Sequence, residues 1–265
     1  MLLLASCLAA GAGAAAQVLP PPSTEALQLR LGALAEDPRV AGHEVADRWF
    51  LARFYERREF TLAWASWAKI DQLLGAVIGS ASHGLEPGDY HLEPLRELAA
   101  ALRANPDPRA AAEFELLATD ALARLAFHLR FGKVNPERIE STWNFTREMD
   151  GLSPVTGVTA LLDSDDLGKS LERLAPDSEH YLALKRFLAR YRQLAADGGW
   201  PVVEPGETLR AGMRSERVAV LRSRLAVTGD LPALPEPADP ELFDAVVEAV
   251  AACRAGGAAV TALTG

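Results

Sequence analysis

Cations, amides and an aromatic ring come together once in this 265-residue sequence, at Arg130, Lys133, Asn135, Arg138, Trp143, Asn144 and Arg147. An indole flanked by amides can stack on a sugar face and hydrogen-bond its hydroxyls, and guanidinium groups pair with peptide carboxylates. The same residues also suit a long structural connection. Trp143 and Phe145 would pin it to a helical body, with the cations solvated or paired to Glu137, Glu140 and Glu148. Residue types alone leave both readings open.

Other reactive side chains read less well as chemistry. Glu140-Ser141 has the make-up of the acid-and-hydroxyl pair of lytic transglycosylases, in which a carboxyl of raised pKa protonates a glycosidic oxygen. A two-residue match is common by chance, and loop capping accounts for it better. Cys253 lacks the adjacent base that a nucleophilic thiol needs, and it continues the apolar stripe that starts at Leu242. No catalytic residue is assigned. His83 and His91 flank Glu86 and Asp89, but a metal wants three or four converging ligands, and this spacing across Pro87-Gly88 fits no zinc pattern. They read as turn-stabilising residues, and neither a metal nor a cofactor is expected. His128, at the edge of an apolar stripe, reads as a half-buried, hydrogen-bonded imidazole. His43 and His180 read as first-turn helix residues on a solvated face.

The elements that must position these residues are helical. Apolar residues recur at helical spacing over 43–58, 70–81, 92–104, 109–131, 158–174 and 178–196, and no alternating strand exceeds Pro201-Val202-Val203. Gly84 is placed to end one helix in a left-handed conformation, and Asn105-Pro106-Asp107-Pro108 separates two others. The fold class expected is all-α, a bundle-like domain over 25–203 followed by a small module over 204–265. In Gly198-Gly199-Trp200-Pro201, proline restrains the backbone, and Trp200 is expected to plug the seam between the two domains. Within the second domain, Val218, Leu221 and Leu225 mark a helix closed by Gly229, and Asp239-Pro240 should open another that carries Leu242.

A net charge of −9 argues against nucleic acid as a partner, because phosphate binding needs a clustered basic surface. The two cysteines, Cys7 and Cys253, are too few for a disulfide framework. Residues 1–16 are apolar and end in Ala14-Ala15-Ala16, as the later part of a secretory signal does. Leu4-Ala5-Ser6-Cys7 also matches a lipobox, in which Cys7 would be acylated. Either way the chain is expected to be exported, touching a membrane only through that signal or a lipid anchor. Pro20-Pro21-Pro22 stiffens a linker over 17–24.

Two stretches carry a family resemblance: DALARLAFHLRFGKVNPERIESTWNF over 120–145 and YRQLAADGGWPVVEPGETLRAGMRSERVAVLRSRLAVTGD over 191–230. They resemble the large periplasmic murein L,D-transpeptidases, with the likeness running over about 45–249. The resemblance implies a helical scaffold domain, a peptidoglycan-binding-like module and a Cys-dependent catalytic domain that joins diaminopimelate residues of neighbouring stems. It also implies a periplasmic location and, for the loop of 130–147, either murein contact or scaffold architecture. The family's Ser-His-Gly-Cys-type block is found nowhere in this sequence. From 253 onward a Gly/Ala/Thr string stands where an aromatic residue and a Gln-Arg-His-Gly-like turn are expected, as truncation or frameshift would produce. The expectation is therefore a scaffold that is not an enzyme by itself and takes part in crosslinking as structure. The alternative is a free-standing adaptor that docks peptidoglycan or a cell-wall enzyme.

Overall fold

The computed structural model describes residues 24–134, 153–210, 212–231 and 239–244, and these are predominantly α-helical. Asn135, Arg138, Trp143, Asn144 and Arg147, like Glu140-Ser141, Cys7 and Cys253, lie outside the described residues. The chain divides into two compact units, Met1–Lys185 and Arg186–Gly265. No helix among the described residues is long and apolar enough to cross a membrane.

In the first unit the order is α1 (Thr24–Ala33), a hairpin of β1 (Arg39–Val40) and β2 (His43–Glu44), α2 (Arg48–Arg57) and α3 (Trp67–Gly79). Two 3₁₀ turns follow, Ser80–His83 and Pro87–Tyr90, and then α4 (Leu92–Ala104), α5 (Pro108–Phe131), α6 (Pro154–Asp163) and α7 (Leu167–Glu172). The helix α8 (Glu179–Ala196) runs across the division of the units.

The core is organised around α5. Asp107 caps its start by accepting from the Ala110 N–H at 2.7 Å, and Pro108 fills the first turn, where a missing N–H costs nothing. Over its 24 residues it buries apolar side chains all round, from Ala111 and Phe114 through Leu117, Ala121 and Leu125 to Leu129. A helix buried on every side belongs at the centre of a domain, and α1, α4 and the 3₁₀ turn at Pro87–Tyr90 pack on it most closely. Trp64, Tyr55, Phe54 and Tyr90 are fully buried in the same cluster.

Local chemistry sets most boundaries. Gly84 stands at φ +76°, the left-handed conformation that closes the turn after α3, and α4 has the span that its spacing predicts. Three elements differ from expectation. The helix expected over 43–58 starts only at Arg48, because Asp47 caps it with bonds from Trp49 N and Phe50 N, both 2.9 Å, while His43 lies in the hairpin. The single helix expected over 158–174 is two: Ser164 and Asp165 interrupt it, and Asp166 caps α7 through the Lys169 N–H at 2.9 Å. The Ser-Asp-Asp run competes for backbone donors and so favours a fresh start over continuation. The third is Leu242, expected in a helix, which instead bridges to Arg214 in an antiparallel pair.

The second unit contains α9 (Glu216–Thr228), capped by Ser215 and closed by Gly229 at φ +79°. Its core is small, with Val203, Leu209, Val218, Leu221, Leu225, Leu231 and Phe243. Two arginines of α9 tie the irregular chain to it. Arg222 donates to the Leu242 carbonyl at 2.9 Å and pairs with Asp244. Arg217 donates to the carbonyls of Glu204 and Glu207, both at 2.8 Å. The Arg217 guanidinium lies against Gly206, where a Cβ would stand 2.7 Å from it and push the guanidinium aside.

Candidate functional site

Polar side chains of α5 form a strip through the middle of the first unit. Glu115, Thr119 and Asp120 are buried, with Arg124 one turn beyond. Side chains four apart share a helix face, so Glu115 and Thr119 meet one loop while Asp120 and Arg124 meet another.

Glu115 accepts from the backbone N–H of Ala63 and of Trp64, the latter at 3.3 Å from each carboxylate oxygen. Burial drives its pKa up to about 7, although the two backbone bonds and the Arg58 charge pull the other way. Beside it the Thr119 hydroxyl lies 2.7 Å from the Tyr55 hydroxyl and accepts from the Trp64 indole N–H at 3.0 Å. The Tyr55 hydroxyl also donates to the Glu115 carbonyl at 2.9 Å, and burial raises its pKa well above the usual value.

Asp120 collects three donors: the Ala46 N–H, His91 Nε2 and Arg124 Nη2, each at 2.8 Å. Arg124 reaches on to the carbonyls of Asp89 at 3.1 Å and Glu44 at 3.2 Å. His91 is buried and left-handed at φ +57°, an uncommon conformation that the Asp120 bond helps to hold. Both carboxylates are turned inward onto protein donors. A general acid or base must reach a substrate proton, and Glu115 and Asp120 are closed off from it.

A cavity of about 340 Å³ lies between α3 and α7, lined by Gln72, Gly79, Ser80, His83, Asp166 and Glu172 among others. His83, its side chain 4% exposed, is held between the Tyr181 hydroxyl at 2.6 Å and the Glu172 carboxylate at 2.7 Å. Lys185 completes the group, 2.8 Å from Glu172. Partial burial opposes the Glu172 charge, but Lys185 and His83 outweigh it and hold its pKa below the ordinary value. Desolvation and the Glu172 charge raise that of Tyr181. A His-carboxylate pair can serve catalysis, yet here both imidazole nitrogens are engaged, and neither is left to deprotonate Ser80 or Ser82. The geometry fastens the first turns of α8 to α7 and to the 3₁₀ turn Ser80–His83 inside the first unit.

Of the residues singled out by sequence as possible contacts or packing groups, Arg130, Lys133, Trp200 and Pro201 lie among the described residues. Arg130 is exposed, with its guanidinium 5.4 Å from the Phe131 ring, and Lys133 pairs with Asp89 rather than with a loop carboxylate. His128 is half-buried and bonded to the Tyr90 hydroxyl at 2.9 Å, as its place on the stripe predicts. Trp200 is 42% exposed, edge-on to Tyr191 at 6.1 Å and 6.0 Å from Arg224, and Pro201 is half-buried. Among the described residues no group of three or more His, Cys, Asp or Glu is arranged to hold a metal ion. Spacing alone missed Glu115 and Asp120. The signal was available, since Glu115 and Asp120 fall among the apolar residues Phe114, Leu116, Leu117, Ala121 and Leu122.

A family model described as "Scaffold domain" matches residues 50–188, just over half of the chain. The chain belongs to the Scaffold domain family. The match spans the α5 strip, His91, and the His83 group from α3 to Lys185. No curated protein and no solved structure matches the chain. Among the described residues of this domain, the buried carboxylates Glu115 and Asp120 each fix a loop or a helix start, which is the work of positioning.

Proposed function

We propose that this scaffold domain serves murein L,D-transpeptidation in the periplasm, holding a peptidoglycan-binding-like module in place and performing no transpeptidation itself. The scaffold-domain match over 50–188 carries this reading. The family resemblance of residues 120–145 and 191–230 supports the murein assignment, and the apolar N-terminal run ending at Ala16 supports export. The polar ties of α5 and His83 are consistent with it, because they stiffen a body without presenting a reactive group. Peptidoglycan and cell-wall enzymes are the partners this role implies.

Two measurements test it. Cells expressing the chain should yield it in the periplasmic fraction, and retention in the cytoplasm would overturn the assignment. Purified protein incubated with muropeptides should form no 3→3 crosslinks, whereas their appearance would make the chain an enzyme.

A further inference from the structure

We infer that the depression at the start of α2 and α6 is a sugar-binding site built on Trp49. It has a volume of about 500 Å³ and is lined by Trp49, Phe50, Arg53, Asp47, Ser153 and Val155, all in the first unit. The size falls in the range of small-ligand pockets.

Trp49 is 67% exposed on a helix whose other faces bury Leu51, Phe54 and Tyr55. The Arg48 guanidinium lies 5.2 Å from the ring centroid and is itself bonded to the carbonyls of Leu34 at 3.4 Å and Ala35 at 3.0 Å. One face of the indole is thereby covered and held. Given the large remaining exposure, the opposite face is open to a ligand. Phe50, packed on the core, and buried Val155 extend the apolar surface.

The polar groups around this surface are free to bond. The Trp49 indole N–H, the Arg53 guanidinium and the Ser153 hydroxyl have no partner among the described residues. Asp47 uses only one carboxylate oxygen, Oδ1, for capping, which leaves Oδ2 as an acceptor. A flat aromatic face ringed by both donors and an acceptor matches a pyranose, which has an apolar C–H face and hydroxyls around its edge. A purely hydrocarbon ligand would leave the donors desolvated and unpaired. An anion would meet the Asp47 carboxylate. The site deepens the cell-wall reading, since glycan strands are what such a scaffold meets, and that reading guides only the choice of test sugar.

The probe is a soluble β-1,4-linked N-acetylglucosamine tetramer, followed by saturation-transfer NMR on the full chain. Transfer to sugar-ring protons is expected. Trp49→Ala should weaken the affinity about tenfold, the scale of one lost aromatic stack, while Trp49→Phe retains part of it. Because Trp49 and Arg53 are exposed, both alanine variants should keep the wild-type circular dichroism and Tm, and Arg53→Ala should also weaken binding. Absence of transfer with the wild-type chain, or transfer unchanged in Trp49→Ala, would overturn the site. Periplasmic recovery and the muropeptide assay would be untouched by that failure, so the two readings fall separately.

Discussion

The helices α5 and α8 are both long and both show helical apolar spacing, yet they end in opposite environments. Thirteen residues of α5 are buried, including two carboxylates and a threonine, whereas α8 buries none and leaves Leu184 and Phe187 more than half exposed. The difference lies in what each helix ties together. The polar side chains of α5 accept from loop N–H groups and side chains, those of Ala46, Trp64 and His91 among them. Those of α8 at Tyr181 and Lys185 join a half-exposed cluster in which water can substitute. Amphipathic spacing therefore reports a helix, and burial depends on what is brought to its faces.

Breaking the α5 strip should have the largest effect. Asp120→Ala would strand the Ala46 N–H and His91 Nε2 and take from Arg124 its carboxylate partner, leaving it only the carbonyls of Asp89 and Glu44, and removing one partner from a buried charge network costs about 3–5 kcal/mol. Urea unfolding of the variant should show a lowered midpoint with an unchanged m-value. A loss below 1 kcal/mol would place Asp120 among replaceable surface groups and level the contrast with α8.

The second test uses pH. Glu115 has a pKa near 7 in the fold against an ordinary value of 4.5, so the folded state binds the proton more tightly than the unfolded chain. Its contribution to stability is complete below about 4.5, declines as pH rises and is lost above about 7. The whole span is on the order of 3 kcal/mol. Glu115→Gln should remove that slope from chemical-denaturation curves taken between pH 4.5 and 7.5. A slope that persists would assign it to another group.

The smallest effect is expected on α8. Leu184→Ser alters a side chain that is 67% exposed and should shift stability by no more than about 0.5 kcal/mol. A loss of 2 kcal/mol would mean that the α8 face is covered in solution.

Much of this architecture was legible in the residues. Gly84, Gly229, the Asp107-Pro108 start and the limits of α4 follow from capping and turn chemistry within a few positions of each boundary. So did the half-buried state of His128. The misplaced start of α2 and the division of α6 from α7 were also local, and Asp47 and Asp166 carried the signal. The site was less legible. Nothing beside His83 in sequence announces Glu172, Tyr181 or Lys185, which lie about 90 to 100 positions away. The Trp49 depression likewise joins α2 to a helix start more than a hundred residues on.

By itself, then, the sequence determined where helices begin and end and that the chain is α-helical, because caps, glycines and apolar periodicity act over one or two turns. Only the tertiary structure decided which polar residues are buried and what they hold. The donors that Glu115 and Asp120 accept lie 29 to 74 positions away along the chain, Arg124 excepted. A carboxylate becomes a buried tie or a solvated charge according to whether packing delivers those donors, and no local rule encodes that choice.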